Sequence, residues 1–202
     1  MTRVLTVDPV APASSALGDA AAALRGGGLV AFPTETFYGL GAAALQPSAV
    51  RRIFEVKGRP DTKPLLVLVD SMAMVDAVAL EIPPRARALM AAHWPGALTL
   101  VLRARPDVPG EITAGSGTVG VRLSGHPLAR ALVSALGEPV TAPSANPRGL
   151  PAPTTAADVL AQFRGRIELV LDGGATAGGE PSTVLDVTVD PPRVIRAGAV
   201  VF

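Results

Sequence analysis

No cysteine occurs in the 202 residues. That excludes a disulfide scaffold, thiolate metal sites and a cysteine nucleophile. Histidine is almost as scarce: only His93 and His126 are present, each at an expected helix boundary and neither at a metal-ligand spacing. There is no G-x-x-x-x-G-K-[ST] segment, so a P-loop is absent. Every apolar run is broken by charge, Gly or Pro before the roughly 20 residues that a membrane span needs. The N-terminal stretch MTRVLTVDPVAPASS has no signal-peptide core. A formal net charge of +1 argues against a strongly basic nucleic-acid coat, though not against a local basic patch. These absences point to a cytoplasmic protein with no membrane partner.

What is present suits a folded enzyme core. Apolar residues make up 49% of the chain, and the length is enough to bury a core without covalent staples. Helical periodicity marks Ser14 to Arg25, stopped by Gly26-Gly27-Gly28, and a helix from Pro47 to about Lys57-Gly58 with Val50, Ile53 and Phe54 on its buried stripe. Further helices are expected after Asp70-Ser71, from Pro83-Pro84 to His93, from Pro127 through Leu136, and from Thr154 or Thr155 to Phe163. Strands are expected at Leu29–Phe32, Leu65–Val69, Leu98–Leu102, Val119–Leu123, Val140–Ala142, Leu169–Leu171, Thr183–Val187 and Val194–Ile195. Strands and helices are mixed without a clean βαβ repeat. The expectation is one α/β domain over residues 1–202, with a mixed twisted sheet and helices packed on it.

Five segments carry polar residues at strand ends or in loops, where α/β folds commonly bind ligands. Pro33–Gly41 (PTETFYGLG) sets two hydroxyls, a carboxylate and a phenol beside glycines; it reads either as a capped turn or as a ligand loop. Its G-x-G-x-x-A spacing imitates a dinucleotide fingerprint, but TETFY separates it from the strand and the next helix starts too late. Lys57–Pro64 (KGRPDTKP) crowds Lys57, Arg59 and Lys63 around one loop. A helix C-terminus accounts for Lys57; Arg59 and Lys63 suit a polyphosphate. In Ser116–Arg122, Thr118 and Arg122 share the face opposite the valines. Arg122 is then either solvent-facing or a two-pronged partner for a carboxylate or phosphate. Thr141–Pro147 (TAPSANP) fixes Ser144 and Asn146 between prolines, and Ser182 and Arg196 flank the last strands.

In this order the pieces FPTETFYGLG, KGRPDTKPL, GTVGVRL, APSAN, PSTVLD and VIRAG resemble the YrdC-like threonylcarbamoyl-AMP synthases, from Leu29 to Gly198. The resemblance implies a twisted α/β sheet with flanking helices around a concave, positively charged cavity. It implies that L-threonine, bicarbonate and ATP, brought with Mg2+, become threonylcarbamoyl-AMP and pyrophosphate. A downstream threonylcarbamoyl-transferase complex then modifies tRNA next to the anticodon, and contact with tRNA or double-stranded RNA is a further possibility of the family. Carried over by position, Thr36, Arg122, Ala142 (through its backbone) and Ser182 would bind threonine. Arg59, Lys63, Thr118, Ser144, Asn146, Ala152 and Arg196 would serve ATP, with Lys57 adding positive potential. No side chain is implied as acid, base or nucleophile; Lys57 and Arg59 are the candidates for charge stabilisation, and no protein-held metal is expected.

Two positions depart from the family pattern. Leu68 stands where many members place a His near threonine, and Ala152 where a Ser often contacts ATP. The end at Phe202 suggests the short, single-domain form. Competing readings are an RNA-binding YrdC-like module without synthase activity, a carbamoyl-transfer domain, and, resting on Gly39 and Gly41 alone, a nicotinamide enzyme.

Overall fold

The computed structural model describes residues 1–58 and 63–202. Its helices start and stop where local chemistry dictates. Helix α1 (Ser14–Arg25) buries Ala20, Ala21 and Leu24 and gives way to Gly27 at φ +78°. Helix α2 (Pro47–Lys57) opens on a proline and ends at Gly58 in the left-handed region, where glycine carries no Cβ penalty. The short α3 (Met72–Val78) is capped by the Ser71 hydroxyl, and α4 spans Pro84–His93. A four-residue turn, α5 (Gly110–Thr113), was not foreseen. Helix α6 (Pro127–Leu136) buries Leu128, Leu132, Val133 and Leu136. Helix α7 (Ala156–Phe163) carries a reciprocal cap, in which Asp158 N–H donates to Thr155 Oγ1 and Thr155 N–H to the Asp158 carboxylate.

The strands form two ladders rather than the single mixed sheet expected. One is four-stranded, in the order β1 (Arg3–Thr6), β8 (Leu169–Asp172), β2 (Val30–Pro33), β3 (Tyr38–Gly41). The other is six-stranded: β10 (Arg193–Arg196), β9 (Thr183–Asp186), β5 (Leu98–Arg103), β6 (Thr118–Arg122), β4 (Leu66–Leu68), β7 (Val140–Thr141). Both mix parallel and antiparallel pairs. A seam stitches them together where the outer edge of β3 meets residues 139–145. There Ala44 N–H reaches Pro139 O at 2.9 Å, Thr141 N–H reaches Ala42 O at 3.0 Å, Leu40 N–H reaches Pro143 O at 2.8 Å and Ala145 N–H reaches Tyr38 O at 2.8 Å.

Two strands escaped the sequence reading for identifiable reasons. Strand β1 is a mostly exposed edge, so its burial pattern carries no alternation. Strand β3 is half glycine and looked like part of a loop. Gly41 is required there because a Cβ would lie 2.8 Å from Val140 Cγ1 and 2.9 Å from Phe32 Cε1. The seam therefore closes only over a bare backbone.

Strand alternation divides the core in two. Val30 and Phe32 of β2, with Leu169 and Leu171 of β8, face α1 and α6. Ala31 and Val170 face the other way, into the larger cluster with α2 and α7. Val119, Val121, Leu98, Leu100 and Leu102 of the six-stranded ladder also enter that cluster. The opposite face of this ladder is left for something else.

The C-terminal segment is clamped back onto β9, with Thr183 Oγ1 donating to Val200 O at 2.6 Å and Ala199 N–H to Pro181 O at 3.0 Å. Gly198 lies so close that a Cβ would stand 2.1 Å from Pro181 O and 2.8 Å from Thr183 N. Gly198→Ala must push this backbone apart and is expected to cost about 1–3 kcal/mol in urea denaturation. An unchanged midpoint would mean that the clamp is slack.

Candidate functional site

The free face of the six-stranded ladder is the floor of a cavity of about 880 Å³. Register brings the floor residues side by side: Leu66 is opposite Gly120, Gly120 opposite Val101, and Thr99 opposite Val184. Thr118, Gly120 and Arg122 all line the cavity while Val119 and Val121 point into the core. This is the division that the alternating sequence implied. The walls come from the turn after β2 (Thr34, Thr36, Phe37), from Lys63 and Pro64, from Ala142–Ser144 beyond the seam, and from Pro181, Ser182 and the β10 edge.

Of the twelve residues singled out from the sequence, nine line this one cavity: Thr36, Lys63, Thr118, Arg122, Ala142, Ser144, Ala152, Ser182 and Arg196. They come from segments scattered over 161 positions of chain, from Thr36 to Arg196. Arg59 lies outside the described residues. Lys57 and Asn146 do not line the cavity. The Lys57 ammonium is buried under the seam loop and donates to the carbonyls of Ser144 and Asn146, and Arg148 N–H returns a bond to Lys57 O at 2.8 Å. Lys57 thus braces the wall that presents Ser144. Asn146 holds the same loop from within, donating from Nδ2 to Leu150 O at 2.6 Å and Pro147 O at 3.2 Å.

Leu68 is also displaced from its expected place. It is 1% exposed and packed in the cluster under α1 and α6, whereas Leu66, two residues earlier on the same strand face, lines the cavity. The G-x-G-x-x-A segment lies in and just after strand β3, with no helix until Pro47, so it lacks the context of a dinucleotide fingerprint. His93 ends α4 and His126 precedes α6, as expected. Burial lowers the His126 pKa and the nearby Arg130 charge adds to this, while the Glu35 charge opposes it. Among the described residues no His, Asp and Glu group is arranged to hold a metal ion, and no helix is long and apolar enough to cross a membrane.

The hydroxyls of the site are interlinked. Thr34 Oγ1 donates to Phe37 O at 2.7 Å and lies 3.2 Å from Thr36 Oγ1. Ser182 Oγ lies 3.0 Å from Thr99 Oγ1 and accepts from Arg196 Nη2 at 2.9 Å, while Arg196 also grips Ser182 O through Nε and Nη2. Thr99 was missed in the sequence, and Thr34 reads there only as one of the two hydroxyls of the Pro33–Gly41 segment. The available signal for Thr99 was a hydroxyl alternating with the core residues Leu98 and Leu100.

The charged residues described along the lining are Lys63, Arg122 and Arg196; no carboxylate is among them. Glu35, also missed, lies directly behind Arg122. Arg122 is buried, with Nε donating to Gly96 O at 3.1 Å and Nη2 2.7 Å from Glu35 Oε1. That last approach is a charge contact without hydrogen-bond alignment, and Nη2 has no hydrogen-bond acceptor among the described residues. Glu35 is itself held by Ser124 Oγ at 2.5 Å and Gly125 N–H at 2.9 Å. Burial pushes the Glu35 pKa up, but the Arg122 guanidinium and the hydrogen bonds from Ser124 and Gly125 outweigh it and bring the value down to about 2.

Comparison with known proteins gives a consistent neighbourhood. Residues 22–198 match the family Sua5_yciO_yrdC, described as "Telomere recombination". The chain is 49% identical over 179 residues to a threonylcarbamoyl-AMP synthase of Pyrococcus abyssi, covering 89% of this chain and 53% of that protein. It is 45% identical over 185 residues to the Bacillus subtilis synthase of the same name, covering 91% and 54%. The chain therefore spans about half the length of these curated relatives. The crystal structure of P. abyssi Sua5 complexed with L-threonine superposes with a TM-score of 0.94 at 46% identity, over 98% of this chain and 58% of that one.

The depressed Glu35 pKa has a measurable consequence. Its folded value, about 2, lies below the ordinary 4.5, so the carboxylate stabilises the fold fully above about 4.5 and ceases to as pH falls through about 2. Urea unfolding from about pH 5 down to about pH 2 is expected to show a steeper loss of stability for the wild type than for Glu35→Gln. Parallel acid limbs would remove Glu35 from that loss.

Proposed function

The chain belongs to the Sua5_yciO_yrdC family, and from that premise we propose that it is an L-threonylcarbamoyladenylate synthase, a nucleotidyltransferase. The observation that carries the reading is Arg122. A buried guanidinium lines a cavity set with hydroxyls, and its Nη1 makes no hydrogen bond among those described. That is a receptor for a small amino acid's carboxylate. The relative solved with L-threonine supports the choice of amino acid.

In this reading Arg122 holds the threonine carboxylate, and Thr36, Ser182 and the backbone at Ala142 surround the rest of the amino acid. Lys63, Thr118, Ser144, Ala152 and Arg196 receive ATP, together with Arg59. Asn146 and Lys57 act on the nucleotide only through the loop they brace. The deprotonated threonine amine attacks the carbon of bicarbonate, forming an N–C bond and releasing water to leave a carbamate. A carbamate oxygen then attacks the α-phosphorus of ATP. The bond to the bridging oxygen breaks, and pyrophosphate leaves with that electron pair. The products are threonylcarbamoyl-AMP and pyrophosphate.

None of this calls for a protein nucleophile. The chemistry needs two anions brought into contact and the growing negative charge matched by fixed donors, which is positioning and electrostatics. Mg2+ fits as a passenger of ATP, held by phosphate oxygens and water, because the described lining offers cations and hydroxyls rather than carboxylates. The three cations make the cavity positively charged in this reading. The product is a mixed anhydride, reactive enough to hand its acyl group to a transferase that modifies tRNA, and the cytoplasm supplies all three substrates.

The direct test is pyrophosphate release from Mg-ATP by the purified chain, with L-threonine and bicarbonate each omitted in turn. Release that requires both is expected, with the adenylate identified by mass spectrometry; ATP binding without release would overturn the synthase reading. Arg122→Ala is expected to lower threonine-dependent turnover by about 100-fold or more while the circular dichroism spectrum stays native. Undiminished turnover would remove Arg122 from threonine recognition.

A further inference from the structure

Glu35 is the middle residue of the Thr34–Glu35–Thr36 turn, and its side chain goes where its neighbours' do not. Thr34 and Thr36 line the cavity; Glu35 turns behind the wall to the back of Arg122. Both of its oxygens are engaged: Oε1 by Gly125 N–H and the Arg122 guanidinium, Oε2 by Ser124 Oγ. Ser124 and Gly125 come just after Arg122 and Leu123, where β6 has ended. The carboxylate is thus moored to the same segment that carries the arginine, and one further acceptor, Gly96 O, fixes Nε.

This arrangement constrains the guanidinium from two directions. An arginine side chain is long and rotameric, and on an open floor it would lose much of its grip on a ligand to side-chain entropy. Here Nε and Nη2 are positioned before any ligand arrives. Nη2 is buried against Glu35, which balances the charge, and Nη1, which makes no hydrogen bond among those described, is the nitrogen left for a ligand. Glu35 also joins the threonine-rich turn to the floor, so the hydroxyls and the guanidinium keep a fixed separation.

We propose that Glu35 is a positioning residue for substrate recognition: it locks Arg122 in its carboxylate-receiving orientation and sets the Thr34–Thr36 turn against it. This deepens the proposed function and rests on that reading. It does not make Glu35 a proton carrier or a group that touches substrate. The role belongs to its charge and its reach together, and to the amino-acid half of the cavity alone. Lys63 and Ser144, on other walls, make no bond with Glu35 among those described.

The test is a steady-state comparison of wild type with Glu35→Gln, which keeps the size and one acceptor oxygen, turns the other into a donor and removes the charge. The KM for L-threonine is expected to rise about tenfold or more, with the KM for ATP within about twofold. Ser124→Ala, which unties Oε2 and also releases His126 N–H, is the companion in case Glu35→Gln folds poorly, and a smaller rise in the same constant is expected. A merely structural role would lower the melting temperature and active fraction and shift both KM values alike or neither. A wild-type chain that makes the adenylate, with threonine KM unchanged in both variants, overturns this inference and leaves the synthase reading intact. A wild-type chain showing neither threonine binding nor threonine-dependent release overturns the synthase reading first and this inference with it.

Discussion

Everything at the site depends on how two sheets are joined. The four-stranded and six-stranded ladders are hydrogen-bonded edge to edge along the seam between Tyr38–Ala44 and Pro139–Ala145. The Thr141 hydroxyl sits inside it, accepting from Ala42 N–H at 2.9 Å and donating to Leu40 O at 3.1 Å, with no exposure to water. In the dry interior such a doubly used hydroxyl is held firmly, because leaving either backbone group unpaired would cost about 1–3 kcal/mol. The seam fixes Ala142 and Ser144 above the floor on one side and Thr36 on the other. The cavity is the space left between them.

Two buried cations are handled differently. The Lys57 ammonium is absorbed by the carbonyls of Ser144 and Asn146, and its charge is used to shape a loop. Arg122 faces a carboxylate on one flank and the cavity on the other. Burying an ion is costly unless a partner and further hydrogen bonds offset it, and both residues satisfy this with fixed neighbours. The difference lies in what remains: Lys57 is spent internally, while Arg122 retains directional N–H groups toward the space where a ligand would lie.

Much of this was legible in the sequence because period and motif pointed the same way. The alternation Thr118, Gly120, Arg122 against Val119 and Val121 told which residues share a face, and the strand is as read. Helices announced by Pro47 and Pro127, and by the caps at Ser71 and Thr155, fell where expected. What stayed hidden depends on long-range geometry. Nothing in TETF says that Glu35 turns away from its flanking threonines, since that is decided by Ser124 and Gly125, some 90 positions later. Lys57 reads in the sequence as a helix-end cation that adds positive potential beside Arg59 and Lys63, yet from the last position of α2 its side chain runs under the seam loop. Leu68 looked like a contact residue by position; the strand carries it past the end of the cavity into the core. A division into two ladders cannot be read from strand lengths at all.

The close approach of Gly41 to Val140 and Phe32 bears on what the segment FPTETFYGLG records about descent. Gly41 answers to architecture, since any side chain there would collide across the seam. The threonines and Glu35 answer to the cavity. These are separate selective pressures written in one stretch of ten residues. A descendant could abandon its ligand, let Thr36 and Glu35 drift, and still keep Gly41 for as long as it folds. Homology detected through Gly41 therefore dates the scaffold, and the residues ahead of it carry the memory of its chemistry.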